Sequence, residues 1–203
     1  MIKAIVFDFG GVLIRTQDYT ARRQWEMRLG LPEGGLAAAV FASEAGALAE
    51  LGRISNAERW RRVGETLGLN SPNEVAQLQR DFFSGDAVNQ ELISLIHRLR
   101  GRYKTALLSN APMELAQELA NFGLNACFDE VVISAVVGLA KPDPAIYRLM
   151  LARLGVAAAE AVFIDDMQVN VDAATALGIV GIHYRDNATL YRDLSRVLGE
   201  WDK

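Results

Sequence analysis

Five short apolar runs set the strongest limit on the fold: "KAIVFDF", "KTALLSN", "EVVIS", "AVFIDD" and "VGIHY". They are rich in Val, Ile, Leu and Phe and do not alternate polar with apolar. That is the pattern of strands covered on both faces, as in a parallel sheet. Most are separated by helical periodicity. "NQELISLIHRLRG" puts Leu92, Ile93, Leu95, Ile96 and Leu99 on one stripe, and "KPDPAIYRLMLARLG" offers Asp143 as N-cap, Pro144 at the first turn and Gly155 past the end. Strand and helix in this rhythm predict an α/β fold, a Rossmann-like doubly wound parallel sheet. Ligands of such sheets bind beyond the C-terminal strand ends. Asp8, the Ser109–Asn110 pair and the Asp165–Asp166 pair all stand at those ends.

Residues 16–86 break the rhythm with no convincing strand. "SNAE" (Ser55, Glu58) and "SPNE" (Ser71, Glu74) read as capping boxes that open helices, and "DYTARRQWEMRLG" and "LAAAVFASEAGALAELG" are helical in pattern. The expected organisation is an α/β core of residues 1–15 and 87–203, with a helical cap of about four helices over 16–86 inserted after the first strand. A helical block beside the strand ends makes a lid.

Composition narrows the function classes. The 203 residues are 51% hydrophobic and carry a net charge of −4. There is no basic field for nucleic acid, and mild acidity suits an anionic substrate only where a cation is bound locally. No apolar run reaches the ~18 residues that would cross a bilayer. "MIKAIVFDF" reads as a first strand, not a signal peptide. The single cysteine, Cys127, forms no internal disulfide, which points to a reducing, cytoplasmic setting.

Four separated pieces line up: Asp8 in "DFGGV", Ser109 and Asn110 in "LLSN", Lys141 in "GLAKPDPAIY", and Asp165 and Asp166 in "FIDDMQVNVDAA". In this order and spacing they resemble the haloacid dehalogenase-like hydrolase superfamily, in the branch with a helical cap after the first motif. The resemblance runs over nearly the whole chain. It implies that Asp8 is a nucleophile forming an aspartyl-phosphate, which splits one hard hydrolysis into two easier steps. It implies that Lys141 sets a positive charge between Asp8 and the phosphoryl group. Ser109, Asn110 and the backbone N–H of Phe9 would bind phosphoryl oxygens, with Gly11 leaving room for a close turn. Adjacent carboxylates repel unless a cation lies near them, and Mg²⁺ is commonly held by one or two carboxylates plus substrate phosphate. The implied cofactor is therefore Mg²⁺, on Asp8, Asp166, Asp165 and the carbonyl of Gly10, with Asn170 in support and Asp172 a solvated helix residue.

The chain departs from the family at position 10. Family phosphatases carry an aspartate there, which protonates the leaving oxygen and then activates water, a function typically worth ~10²–10⁴-fold in rate. Gly10 has no side chain. Three readings stay open. One is a phosphatase of a small phosphorylated metabolite, such as a sugar phosphate, with an easy leaving group or another proton carrier. The second is a 2-haloacid dehalogenase, whose halide leaves without a proton but which does without Mg²⁺, so the retained acidic pair weighs against it. The third is a catalytically weak protein that binds a phospho-ligand or a partner. Glu44 is a candidate substitute acid. Charges at the cap entrance (Arg15, Asp18, Arg22, Arg23) read as helix surface, and Trp25 and Trp60 as cap packing. His97 and His183 lack metal-ligand spacing.

Overall fold

The computed structural model describes residues 1–199; the last part of the expected core, residues 200–203, lies outside them. All five apolar runs form strands of one parallel sheet: β1 (Ala4–Phe7), β4 (Lys104–Ser109), β5 (Glu130–Ile133), β6 (Ala161–Asp165) and β7 (Val180–His183), in the order β5-β4-β1-β6-β7. Two three-residue strands, β2 (Ile14–Thr16) and β3 (Asp86–Val88), form a separate antiparallel ribbon. They are too short to leave a pattern in the sequence, and their far ends reach into the stretch read as free of strand.

Side chains of the sheet alternate between two apolar layers. Ile5, Phe7, Leu107, Val162 and Ile164 face one layer. It is completed by α6 (Gln90–Leu99), α7 (Leu115–Asn121) and α11 (Asn187–Leu198). Ala4, Val6, Ala106, Leu108, Ala161 and Phe163 face the other, against α9 (Pro144–Leu154) and α10 (Gln168–Ala176). Coverage on both faces is why these strands read as continuous apolar runs. A one-turn helix, α8 (Ser134–Val137), follows β5 directly.

Between β2 and β3 lie five helices: α1 (Thr20–Leu29), α2 (Gly35–Phe41), α3 (Glu44–Glu50), α4 (Asn56–Thr66) and α5 (Pro72–Phe83). The fifth arises because "LAAAVFASEAGALAELG" breaks at Ser43, whose hydroxyl accepts from the Gly46 N–H and caps α3 at 3.1 Å. Four of these helices, α1, α2, α4 and α5, share an apolar cluster of their own, including Trp25, Leu36, Val40, Trp60, Val63, Leu78 and Phe82, with Trp60 edge-on to Phe82 at 5.8 Å between ring centroids. Ser55 caps α4 as its motif predicts, accepting from the Glu58 N–H at 3.1 Å. Ser71 stands before α5 without a side-chain cap bond, and its partner Glu74 is drawn across to Arg28. No helix among the described residues is long and apolar enough to cross a membrane.

Candidate active site

Strand register builds the site. Phe7 of β1 pairs with Ile164 of β6, so the next residues, Asp8 and Asp165, emerge side by side at the C-terminal edge. Phe7 also pairs with Leu107 of β4, which places Ser109 just beyond the level of Asp8. The Asp8 N–H donates to the Ile164 carbonyl at 2.9 Å, extending the ladder one residue past the strand.

Lys141 closes the group. Its ammonium lies 2.8 Å from Asp8 Oδ1 and 2.6 Å from Asp165 Oδ2, and all three side chains are buried. Burial opposes the Lys141 charge, but Asp8 and Asp165 outweigh it and hold the ammonium above its ordinary pKa. Burial pushes the Asp8 carboxyl up, Lys141 pulls it down, and the neighbouring Asp165 adds to the rise. The lysine is positioned through its own backbone. The Asn110 amide donates to the Lys141 carbonyl at 2.9 Å and accepts from the Lys141 N–H at 2.8 Å. Asn110, expected at the phosphate, thus uses its side chain to clamp the lysine.

Asp165 is fully buried and saturated with donors. Besides Lys141 it accepts from the Met167 N–H at 2.7 Å and from Asn170 Nδ2, 3.1 Å from each oxygen. Asn170 is fixed in turn by the Tyr147 hydroxyl, which donates to its carbonyl at 2.9 Å. Asp172 points away to Gln168 on the exposed side of α10. Asp166 is only partly buried. Burial first, and the charge of Asp165 second, raise its carboxyl above the usual range.

Ligand oxygens of Asp8, Asp165 and Asp166 all lie within 4.8 Å of one another. Three carboxylates against a single ammonium leave a negative excess that suits a divalent cation, and an all-oxygen donor set suits Mg²⁺. Gly11 makes the approach possible: its φ is +76°, and a Cβ there would collide with the Asp166 carboxylate. The turn differs from expectation at Phe9, whose N–H donates to Asp8 Oδ1 at 2.7 Å. That bond orients the Asp8 carboxylate. Gly10 is exposed, and a Cβ built on it meets nothing within 4 Å.

A family model for haloacid dehalogenase-like hydrolases matches residues 2–178. The chain belongs to that family. Among relatives of this hydrolase is a sesquiterpene phosphatase of Aspergillus oryzae, 29% identical over 97% of each chain. A D-ribitol-5-phosphate phosphatase of Bacteroides thetaiotaomicron is 29% identical over 98% of this chain and 99% of its own. An enzyme of the same family from that bacterium, solved with magnesium and inorganic phosphate, shares the fold with a TM-score of 0.76 at 23% identity, over 95% of this chain and all of the other.

Two side chains of the hydrolase escaped the sequence. Glu44, named as a substitute acid, is exposed in the first turn of α3, where a carboxylate favours the helix dipole. The acid of these helices that lies near Asn110 and Lys141 is Glu50, at the other end of the same helix. The second is Arg59 of α4, 3% exposed, which faces Glu50 as well as Glu114 and Glu118. No local pattern separates these residues from surface charges, because their burial depends on how the inserted helices sit on the sheet.

Proposed function

We propose that this hydrolase is a Mg²⁺-dependent phosphatase of a small phosphorylated metabolite. The observation that carries the reading is the Lys141 ammonium seated between Asp8 and Asp165, with the Asp166 carboxylate beside them. Lys141 pulls the buried Asp8 carboxyl back toward its ionised form, against burial, and lowers the repulsion between an anionic nucleophile and an anionic ester. Asp8, steered by the Phe9 N–H, attacks phosphorus and becomes an aspartyl-phosphate, and water then releases phosphate from it. Ser109 and the backbone of Asn110 bind the phosphoryl oxygens. Asp8, Asp166 and the Gly10 carbonyl, with Asp165 beside them, would hold Mg²⁺, which would supply positive charge to the same oxygens. Asn170 and Tyr147 fix Asp165, and through it the lysine.

Four of the five helices between β2 and β3 share a separate apolar core. This supports reading 16–86 as a lid over a core of 1–15 and 87–203, with substrate choice resting on the lid. The phosphatase activities of the relatives support a phosphate ester, a polyol or sugar phosphate being one such class. Lone, buried Cys127 fits a reducing, cytoplasmic workplace. Phosphate release from a panel of small phosphate esters, with 2-chloropropionate alongside, tests the reading. Release is expected with Mg²⁺ and not with EDTA, and Asp8→Asn should lower it by about 10⁴-fold or more. Halide release indifferent to EDTA would establish a dehalogenase instead. Binding of phosphate analogues without turnover would establish a binding protein. Mg²⁺ alone should raise the melting temperature of the parent protein, and Asp166→Asn should remove that rise.

A further inference from the structure

The proton for the leaving oxygen has no donor at position 10. In-line displacement sets the leaving oxygen opposite the attacking one. Asp8 attacks from the sheet, so the leaving oxygen faces away from it, toward the inserted helices. The carboxyl that these helices bring to the site is Glu50. Its helix α3 ends there, and the chain turns through Gly52 at φ +67°. A Cβ on Gly52 would run into the Ala135 carbonyl of α8, so the cap backbone rests directly on the core at this point. That seat brings Glu50 beside Asn110, whose amide clamps the lysine that holds Asp8. Arg59 of α4 and Lys141 are the charged groups facing Glu50. Burial raises its carboxyl above the usual range, against the pull of both cations and of the Asn110 side chain. It therefore keeps its proton to a higher pH than an exposed glutamate.

We propose that Glu50 is the proton carrier of the reaction, reaching the leaving oxygen from the cap in place of the side chain that Gly10 lacks. In the first step an Asp8 oxygen bonds to phosphorus, the bond from phosphorus to the ester oxygen breaks, and Glu50 gives its proton to that oxygen, releasing the alcohol. In the second step the Glu50 carboxylate takes a proton from water as the water oxygen bonds to phosphorus. The bond between phosphorus and Asp8 breaks, phosphate leaves, and Asp8 and Glu50 return to their starting forms. This role rests on the phosphatase reading above.

Glu50→Gln tests it without removing the shape of the side chain. The probes are ethyl phosphate, whose alkoxide needs a proton to leave, and p-nitrophenyl phosphate, whose phenolate does not. The readout is kcat/KM with Mg²⁺, which reports the first step alone. The substitution should lower kcat/KM for ethyl phosphate by about 10²-fold or more, with little change for p-nitrophenyl phosphate. The alkaline fall of the ethyl phosphate pH profile should disappear with it. Adding Gly10→Asp, for which there is space, should restore ethyl phosphate hydrolysis to the Glu50→Gln protein. Equal losses on both esters, or no loss on ethyl phosphate, would overturn the role of Glu50 while leaving the phosphatase reading intact. Release from neither ester by the parent protein would overturn both.

Discussion

The floor of the site and its roof hold their charges in opposite ways. On the floor, Asp8, Asp165 and Lys141 are buried and each is bound by another part of the core, at 2.6 to 3.1 Å. The strands that carry two of them are locked in register. On the roof, Arg59 is as deeply buried, yet its Nε has no hydrogen-bond partner, and Glu50 is half-buried between Arg59 and the Lys141 and Asn110 side chains of the core. A buried charge with incomplete partners is costly. Preorganisation of this kind belongs where phosphoryl charge develops. The roof meets the core at the Gly52 seat, through the charges of Glu50 and Arg59, and along a three-residue ribbon.

The largest break in this comparison comes from the floor. Lys141→Met leaves two buried carboxylates facing each other without their cation. Losing one partner of a buried ion pair costs about 3–5 kcal/mol, which chemical denaturation would measure. The sign of its pH dependence follows from Asp8. Burial raises that carboxyl, and removing the lysine raises it further, so the folded variant binds protons more tightly than the unfolded chain. A raised carboxylate contributes stability below its unfolded pKa and loses it as pH rises through the folded value. The deficit should therefore be larger at pH 8 than at pH 5. A deficit that does not change with pH would mean that Lys141 acts through packing, including its contact with the Phe163 ring, and not through charge.

The two halves were also unequally legible in the sequence. Asp8, Asp165 and Asp166 could be read because a strand end is a local event: an apolar run stops at a carboxylate, and parallel pairing brings such ends together. Asn170 followed from its place in the first turn of α10. The use of the Asn110 side chain on Lys141 was not legible, since it joins a strand end to a loop 31 residues away. Glu50 was hidden for the same reason. It shares a seven-residue helix with Glu44, and only the seat on Ala135 decides which of the two is turned to the core. Ser43 split one helical pattern in two because a capping hydroxyl outweighs the helix propensity of the alanines around it.

Gly52→Ala sharpens the contrast from the roof. The substitution forces a side chain into a left-handed conformation, a cost of about 1–2 kcal/mol, and pushes the new Cβ against the Ala135 carbonyl. The protein should stay folded, with the loss seen as a lower melting temperature. Because the seat of Glu50 moves while Asp8 and Lys141 do not, kcat/KM for ethyl phosphate should fall further than for p-nitrophenyl phosphate. Equal falls would tie roof and floor together as one unit.

The smallest effect asks whether the roof can be loosened without moving its seat. Ser55 caps α4 through a 3.1 Å bond from the Glu58 N–H, whereas Ser71 precedes α5 with no such bond. Ser55→Ala should therefore cost about 1 kcal/mol, and Ser71→Ala less. In a chain of this size 1 kcal/mol corresponds to roughly 2–4 °C in Tm. The first turn of α4 carries Arg59 but not Glu50, and it contributes nothing to the floor. Hydrolysis of p-nitrophenyl phosphate should accordingly stay near the parent rate in both variants, with only the melting temperatures separating them. If Ser55→Ala slows ethyl phosphate hydrolysis as much as Gly52→Ala does, then Arg59 must be part of what holds Glu50 in place, and the roof is a pair of facing charges instead of a single carboxyl on a seat.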